Sequence, residues 1–219
     1  MDSKTFVAGL VDEMNTLFGQ LEEREILVAE AEGQLEVVTL LKMALQSELE
    51  ASSIAAHWLP TTPEIDAKTV FAEQCHEEMK HYNLIVQRLE DLGEDVSDLA
   101  AGSEPSTPLY QYLRSLRTTI ERMAAGPFAC EAVAEVRNNQ FIEFCNAVGD
   151  TKTAQLYTKV IQPEEVRHHR RGRQILERYA TTPELQQQAA NAMRSSLAIA
   201  DELRSLAEKT KGLFNIPVS

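Results

Sequence analysis

The sequence has little from which to build a sheet. Aromatic residues make up 6% of the 219 positions, and the chain holds only 9 glycines and 8 prolines. Strands draw on aromatic and β-branched residues and need frequent turns, whereas Ala, Leu, Val and Glu build this chain, a helical balance. Cysteine is scarce as well. Cys75, Cys130 and Cys145 form no CxxC pair and are odd in number, which argues against a disulfide framework and reads as reduced, mostly buried thiols. Positive charge is in deficit: 21 basic residues face 34 acidic ones, a formal net charge of −13. That balance disfavours nucleic acid and anionic membrane as general partners, although it leaves room for a local basic patch. Acidic residues break the apolar run of MDSKTFVAGLVDEMNTLFGQ, so no signal peptide is expected, and no apolar stretch reaches the length of a membrane span. The expectation is a soluble, cytoplasmic chain with no membrane partner.

What is present is helical periodicity almost throughout. Val7, Leu10, Met14, Leu17 and Leu21 mark a first amphipathic helix, punctuated near Gly33. A second helix is predicted from about Gln34 to Leu59, stopped by Pro60, and a third from about Ala67 to Gly93. GEDVSDLAAGSEPSTP is the longest loop candidate. A fourth helical region is predicted over about Leu109 to Val148, with Gly126-Pro127 kinking or dividing it. The fifth runs from Thr153 to Tyr179, and TTPEL opens a sixth that ends near Lys211. No strand pattern emerges. The fold class expected is all-α: a four-helix bundle over residues 34–180, with an accessory helix over 1–33 and an accessory helix and tail over 181–219.

One short pattern occurs twice. EEMKH stands at 77–81 and EEVRH at 164–168, an offset of 87 for both the first Glu and the His. Helical phase places each ExxH on an apolar face. Phe71, Cys75, Glu78, Tyr82, Ile85 and Leu89 share a stripe that His81 borders; Ile161, Glu165, His168, Gly172, Ile175 and Tyr179 share another. A carboxylate inside such a face is costly unless paired or bound to a metal. The nearby pair Glu73 and His76 falls on a polar stripe and is rejected as a site. Each ExxH is preceded by an inward glutamate at an interval of 30 residues: Glu48 before Glu78, and Glu135 before Glu165. Glu131, one turn before Glu135, could take its place; the equal interval favours Glu135.

Positions i and i+3 lie on one helical face, so each Glu and His can converge on one ion. Two such helices would give each of two ions a terminal carboxylate and an imidazole, and Glu48 and Glu135 would bridge the pair. Four carboxylates offset two divalent cations, and mixed oxygen and nitrogen donors suit two iron ions, or manganese. The expected metal ligands are Glu48, Glu78, His81, Glu135, Glu165 and His168, the pattern of the di-metal carboxylate bundles.

At these residues the chain resembles the ferritin-like di-iron superfamily. SELEA followed by EEMKH is similar to the first half of a bacterioferritin site. AEVRNNQF followed by LYTKVIQPEEVRHHRRGRQILERYA is similar to the di-iron hydroxylases that modify tRNA, whose Glu-x-Arg pattern aligns with Glu135 and Arg137. The likeness spans roughly residues 34–180. It implies a ferritin-like bundle and a non-haem di-iron oxidoreductase that activates O2 to hydroxylate or oxidise a small organic substrate. The alternative is a ferroxidase or iron-handling protein. The extra N-terminal helix departs from bacterioferritin and argues against cage assembly. The CxxC iron domain of rubrerythrins is absent, so electrons would come from a separate donor. A third reading is a metal-free helical interaction protein working through apolar terminal helices that carry Leu10, Leu17, Met193 and Leu203; covering the bundle or forming a homodimer fits those helices better.

Other residues divide between chemistry and packing. Arg137, Asn138 and Asn139 are candidate outer hydrogen-bond donors or ordinary polar positions. Arg170, Arg171 and Arg173 of RHHRRGR suit pairing with surface glutamates, or docking of an acidic carrier, phosphate or RNA. Tyr82, Tyr157 and Tyr179 suit core packing better than proton transfer. Cys75, His57 and His169 read as packing or surface residues. The small side chains Ala51, Ala55 and Ala132 could leave room for a substrate or allow close helix packing.

Overall fold

The computed structural model describes residues 1–22, 36–97 and 107–214, with side chains for 1–19, 36–97 and 107–200. It is all-α, and no strand occurs among the described residues. Helix α1 spans Ser3–Glu22, α2 Val37–Trp58 and α3 Ile65–Asp91, the last two joined through a 3-10 turn at Leu59–Thr61. A short α4 spans Pro108–Ser115. The third bundle member runs through α5 (Thr119–Met123), a π-helical turn (Ala124–Cys130) and α6 (Glu131–Ala147). The fourth runs through α7 (Thr151–Leu156), a second π turn (Tyr157–Ile161) and α8 (Gln162–Tyr179). Helix α9 spans Pro183–Phe214. The predicted start at Gln34, the punctuation at Gly33 and the side chains of Leu21 and Leu203 lie outside what the structure describes, as does the loop over 98–106.

The predicted fourth region is not one helix. The chain leaves the helix at 116–118, and Thr118 restarts it with a reciprocal capping box: its hydroxyl accepts from the Glu121 N–H while Glu121 accepts from the Thr118 N–H at 2.9 Å. Arg122, buried, donates to the Leu116 carbonyl at 3.3 Å and to Thr62 Oγ1 at 3.0 Å, tying the break to the end of α2. Gly126-Pro127, expected to kink or divide the helix, sits instead inside the first π turn. Pro127 has no N–H to give the ladder, and a wider turn absorbs the missing bond. A Cβ on Gly126 would lie 2.9 Å from the Trp58 ring, and one on Gly172 only 2.7 Å from the Pro127 backbone. Glycine at 172 therefore lets α8 lie directly on this turn.

Two hairpins form the bundle, α2 with α3 and α5–α6 with α7–α8. Gly93 and Gly149 close α3 and α6 at φ of 89° and 85°, the left-handed conformation that glycine adopts without a side-chain penalty. In each case the next N–H reaches back to a carbonyl inside the helix, Glu94 to Leu89 at 3.1 Å and Asp150 to Cys145 at 2.8 Å. The apolar interior falls into two clusters. The larger gathers Trp58, Phe71, Phe128 and Met193 with Val7, Leu10 and Met14 of α1, so both terminal helices bury against the bundle's own core. The smaller holds Leu41, Ile85, Leu89, Phe141, Tyr157 and Ile161. Between them lies a layer of buried acids and imidazoles.

Candidate metal centre

The burial pattern of α3 selects Ala67, Phe71, Gln74, Glu78, His81, Ile85 and Leu89, so His81 sits at the centre of the stripe rather than its border. On α8 the buried positions are Glu165, His168, Gly172, Ile175 and Leu176. Helix α2 contributes Glu48, and α6 contributes its first residue, Glu131. These six side chains are between 0 and 9% exposed, although four are acids. They form two groups, Glu48, Glu78, His81 and Glu165, and Glu78, Glu131, Glu165 and His168; in each the donor atoms lie within 4.8 Å of one another.

Glu78 and Glu165 belong to both groups. Glu78 splits its oxygens, Oε2 lying 3.1 Å from His81 Nδ1 and Oε1 3.1 Å from His168 Nδ1. Glu165 does the same at 3.3 and 3.7 Å. Glu78 and Glu165 are thus the acids shared by both groups, while Glu48 and Glu131 each belong to one, whereas the sequence predicts Glu48 and Glu135 between two ions. Intervals along the chain cannot say which pair lies in the central seam; the facing of α3 and α8 decides it.

Glu135 belongs to neither group. It is half-buried one turn further along, its Oε1 unpartnered, and burial with the charge of Glu165 pushes its carboxyl up to about 7. An interval of 30 residues gives equal heights only when the two connectors are alike. The first hairpin turns through residues 59–64 and the second through 148–150 alone, and the second also contains the π turn at Tyr157–Ile161. The two intervals are therefore not equivalent, and the acid that joins Glu165 in one group is Glu131, one turn earlier. Gln74 Nε2 donates to Glu131 Oε1 and fixes it there.

The outer nitrogen of each imidazole is held by the opposite helix. His81 Nε2 lies 2.8 Å from Glu164 Oε2, and Lys80 Nζ reaches Glu164 Oε1. His168 Nε2 lies 2.6 Å from Glu77 Oε2, and Arg167 pairs with Glu77. Glu77, Lys80, Glu164 and Arg167 are thus the remaining members of the repeated pattern. Their signal was visible in the sequence, because they share the 87-residue offset of the ligand pairs. In a neutral imidazole, an Nε2–H donated outward would leave the Nδ1 lone pair facing inward, the tautomer that a metal ligand requires.

Electrostatics separates the four acids. Burial, with the charges of Glu78 and Glu165, raises the Glu48 carboxyl well above the ordinary range, and burial with the Glu165 charge does the same to Glu131. Burial also pushes Glu78 and Glu165 upward, but hydrogen bonds outweigh it and hold both below the usual value, from His168 and His81 for Glu78 and from Glu131, His168 and His81 for Glu165. Burial opposes charge on His168 as well, yet Glu165 and Glu78 raise it to about 10, and His81 is raised further. Within this layer, Glu78 Oε1 and His168 Nδ1 are buried and lack a hydrogen-bond partner despite their closeness. Buried, inward-facing oxygen and nitrogen donors of this kind fit a divalent metal.

The other candidates fall into place by contact. Arg171 pairs with Glu73 and Arg173 with Glu177, leaving Arg170 exposed. His169 Nδ1 donates to the Phe128 carbonyl at 2.7 Å and stacks on the Phe128 ring, while His57 is exposed. Tyr179 donates to Asp66 at 2.9 Å and Tyr82 is half-buried. Cys75 lies beside Ser52. Asn139 accepts from Gln162 at 3.0 Å, away from the acids. Tyr157 is buried with its hydroxyl unpartnered. Among the described residues no helix is long and apolar enough to cross a membrane.

A cavity of about 220 Å³ reaches this layer between α2, α4, α6 and α9. Glu48, Glu78, Glu131 and Glu165 form one wall, and Leu40, Met43, Ala51, Leu113, Phe141 and Leu197 are among the apolar residues of the rest. No curated protein and no solved structure gives a significant match to this chain. A family profile described as the ferritin-like domain matches residues 38–182, the span that contains all six buried Glu and His residues. By that match over more than half of its length, with the buried Glu/His groups that the fold brings together, the chain belongs to the ferritin-like domain family.

Proposed function

We propose that the protein is a di-iron oxidase or monooxygenase that couples reduction of O2 to hydroxylation or oxidation of a small organic molecule. One observation carries this reading: the cavity has an apolar lining yet ends on the carboxylates of both metal groups. Glu48, Glu78, Glu131, Glu165, His81 and His168 would hold two ions, iron by preference, with Glu78 and Glu165 shared. Iron held there supplies the redox chemistry towards O2, with electrons from a separate donor. The chain's own work is positioning. Glu77 and Glu164 fix both imidazoles, Gln74 orients Glu131, and the apolar walls exclude water from the reacting end of the substrate. The family alone is equally consistent with iron handling, where no organic substrate need enter.

The test is anaerobic loading with Fe(II), desalting and metal analysis, followed by O2 exposure. About two ions per chain are expected, lost when Glu78→Gln and Glu165→Gln are combined. The loaded protein should consume O2 in proportion to its own iron. Repeated oxidation of added Fe(II), with ferric iron accumulating in a large assembly, would show a ferroxidase and overturn the oxidase reading.

A further inference from the structure

The cavity is not uniformly apolar. Arg137 of α6 lies in its wall, half-buried, beside Asn138 and near Tyr157. In this acidic protein, Arg88, Arg167, Arg171, Arg173, Arg178 and Arg194 each pair with a carboxylate. Arg137 pairs with none among the described residues. Glu50, another acid of the lining, is itself engaged, accepting from the Thr107 N–H at 3.1 Å and from Gln46 at 3.1 Å. A second polar group is unspent. Tyr157 is 1% exposed, lines the same cavity and has no partner for its hydroxyl. A buried hydroxyl without a partner is uncommon in a folded protein and marks a place where a ligand atom can sit.

We infer that the cavity binds a small amphipathic organic acid, its carboxylate held by Arg137 and its apolar body lying along Leu40, Met43 and Phe141 towards the four buried glutamates. A guanidinium presents a planar fork of donors that matches a carboxylate, and half-burial strengthens the pair relative to one in water. The Tyr157 hydroxyl supplies one further hydrogen bond to a polar atom of the ligand. The inference rests on the cavity being the substrate site. It concerns binding alone, so it is tested without metal or O2.

Octanoate and octanol are the probes, titrated calorimetrically into the metal-free chain. Octanoate should bind at least about tenfold more tightly than octanol, the scale of a charge-assisted hydrogen bond. Arg137→Gln should abolish that preference and leave octanol binding unchanged, which also shows that the cavity survives the substitution. If Arg137→Gln binds neither probe, Arg137→Lys decides: a retained preference for octanoate supports the assignment and an absent one overturns it. Equal octanoate affinity in the native chain and in Arg137→Gln overturns it as well, as does failure of the native chain to prefer octanoate. A carboxylate preference found in a chain whose iron form ignores O2 would refute the oxidase reading and leave the binding site standing.

Discussion

The two hairpins supply the same ligand types by different local means. In the first, α2 and α3 are uninterrupted, and Glu48, Glu78 and His81 point inward by helical phase alone. In the second, each helix carries a π turn before its ligands: Ala124–Cys130 ends one residue before Glu131, and Tyr157–Ile161 ends shortly before Glu165. A π turn inserts one residue into a helical ladder and rotates everything after it, and such turns gather at functional sites. A helix whose phase is unbroken can be aimed only by its own periodicity. One with an insertion can be aimed independently of the packing on either side.

That contrast can be sharpened by experiment. The largest effect is expected between two neighbouring glutamates. Glu131→Gln should weaken one of the two metal positions by more than the roughly 10–100-fold that loss of an outer partner costs, and Glu135→Gln should leave both intact. Fe(II) or Zn(II) titration followed by metal analysis separates them, and the reverse result would restore the simple interval of 30 residues. Next come the crossed outer acids. Glu77→Gln should lower affinity about 10–100-fold through His168, and Glu164→Gln should do the same through His81. Unequal losses would mean that the second hairpin's π turns had broken the equivalence. The smallest effect concerns the closing glycines. Gly93→Ala and Gly149→Ala should each cost about 1 kcal/mol and lower Tm by about 2–4 °C. Metal affinity should not change in either; a loss confined to Gly149→Ala would show that its connector also sets ligand height.

Sequence alone was informative where phase is continuous. The inward faces of α3 and α8, the rejection of Glu73 and His76, and the all-α class follow from periodicity, and the structure has these faces: His76 is exposed and Glu73 pairs with Arg171. What periodicity could not supply was the relation between helices. The grouping of Glu131 rather than Glu135 with Glu165, and the sharing of Glu78 and Glu165 by both groups, depend on which helices face across the centre. The break at 116–118 is different, because its signal was on the page. Thr118 and Glu121 have the Ser/Thr-x-x-Glu spacing of a capping box, but no glycine or proline marks the position in LRSLRTTI. Arg122, which secures the break, was hidden for the usual reason that an arginine reads as surface.

The crossed pairs carry a consequence about symmetry. Glu77 of α3 serves the histidine of α8, and Glu164 of α8 serves the histidine of α3. If residue i meets j and the equivalent of j meets the equivalent of i, the contact is self-complementary, the form that isologous dimer interfaces take. Neither hairpin can complete its own imidazole's environment. Each motif is written on one half of the chain for the use of the other, so a change that suits one half must be matched across the pseudo-axis before the pair can function.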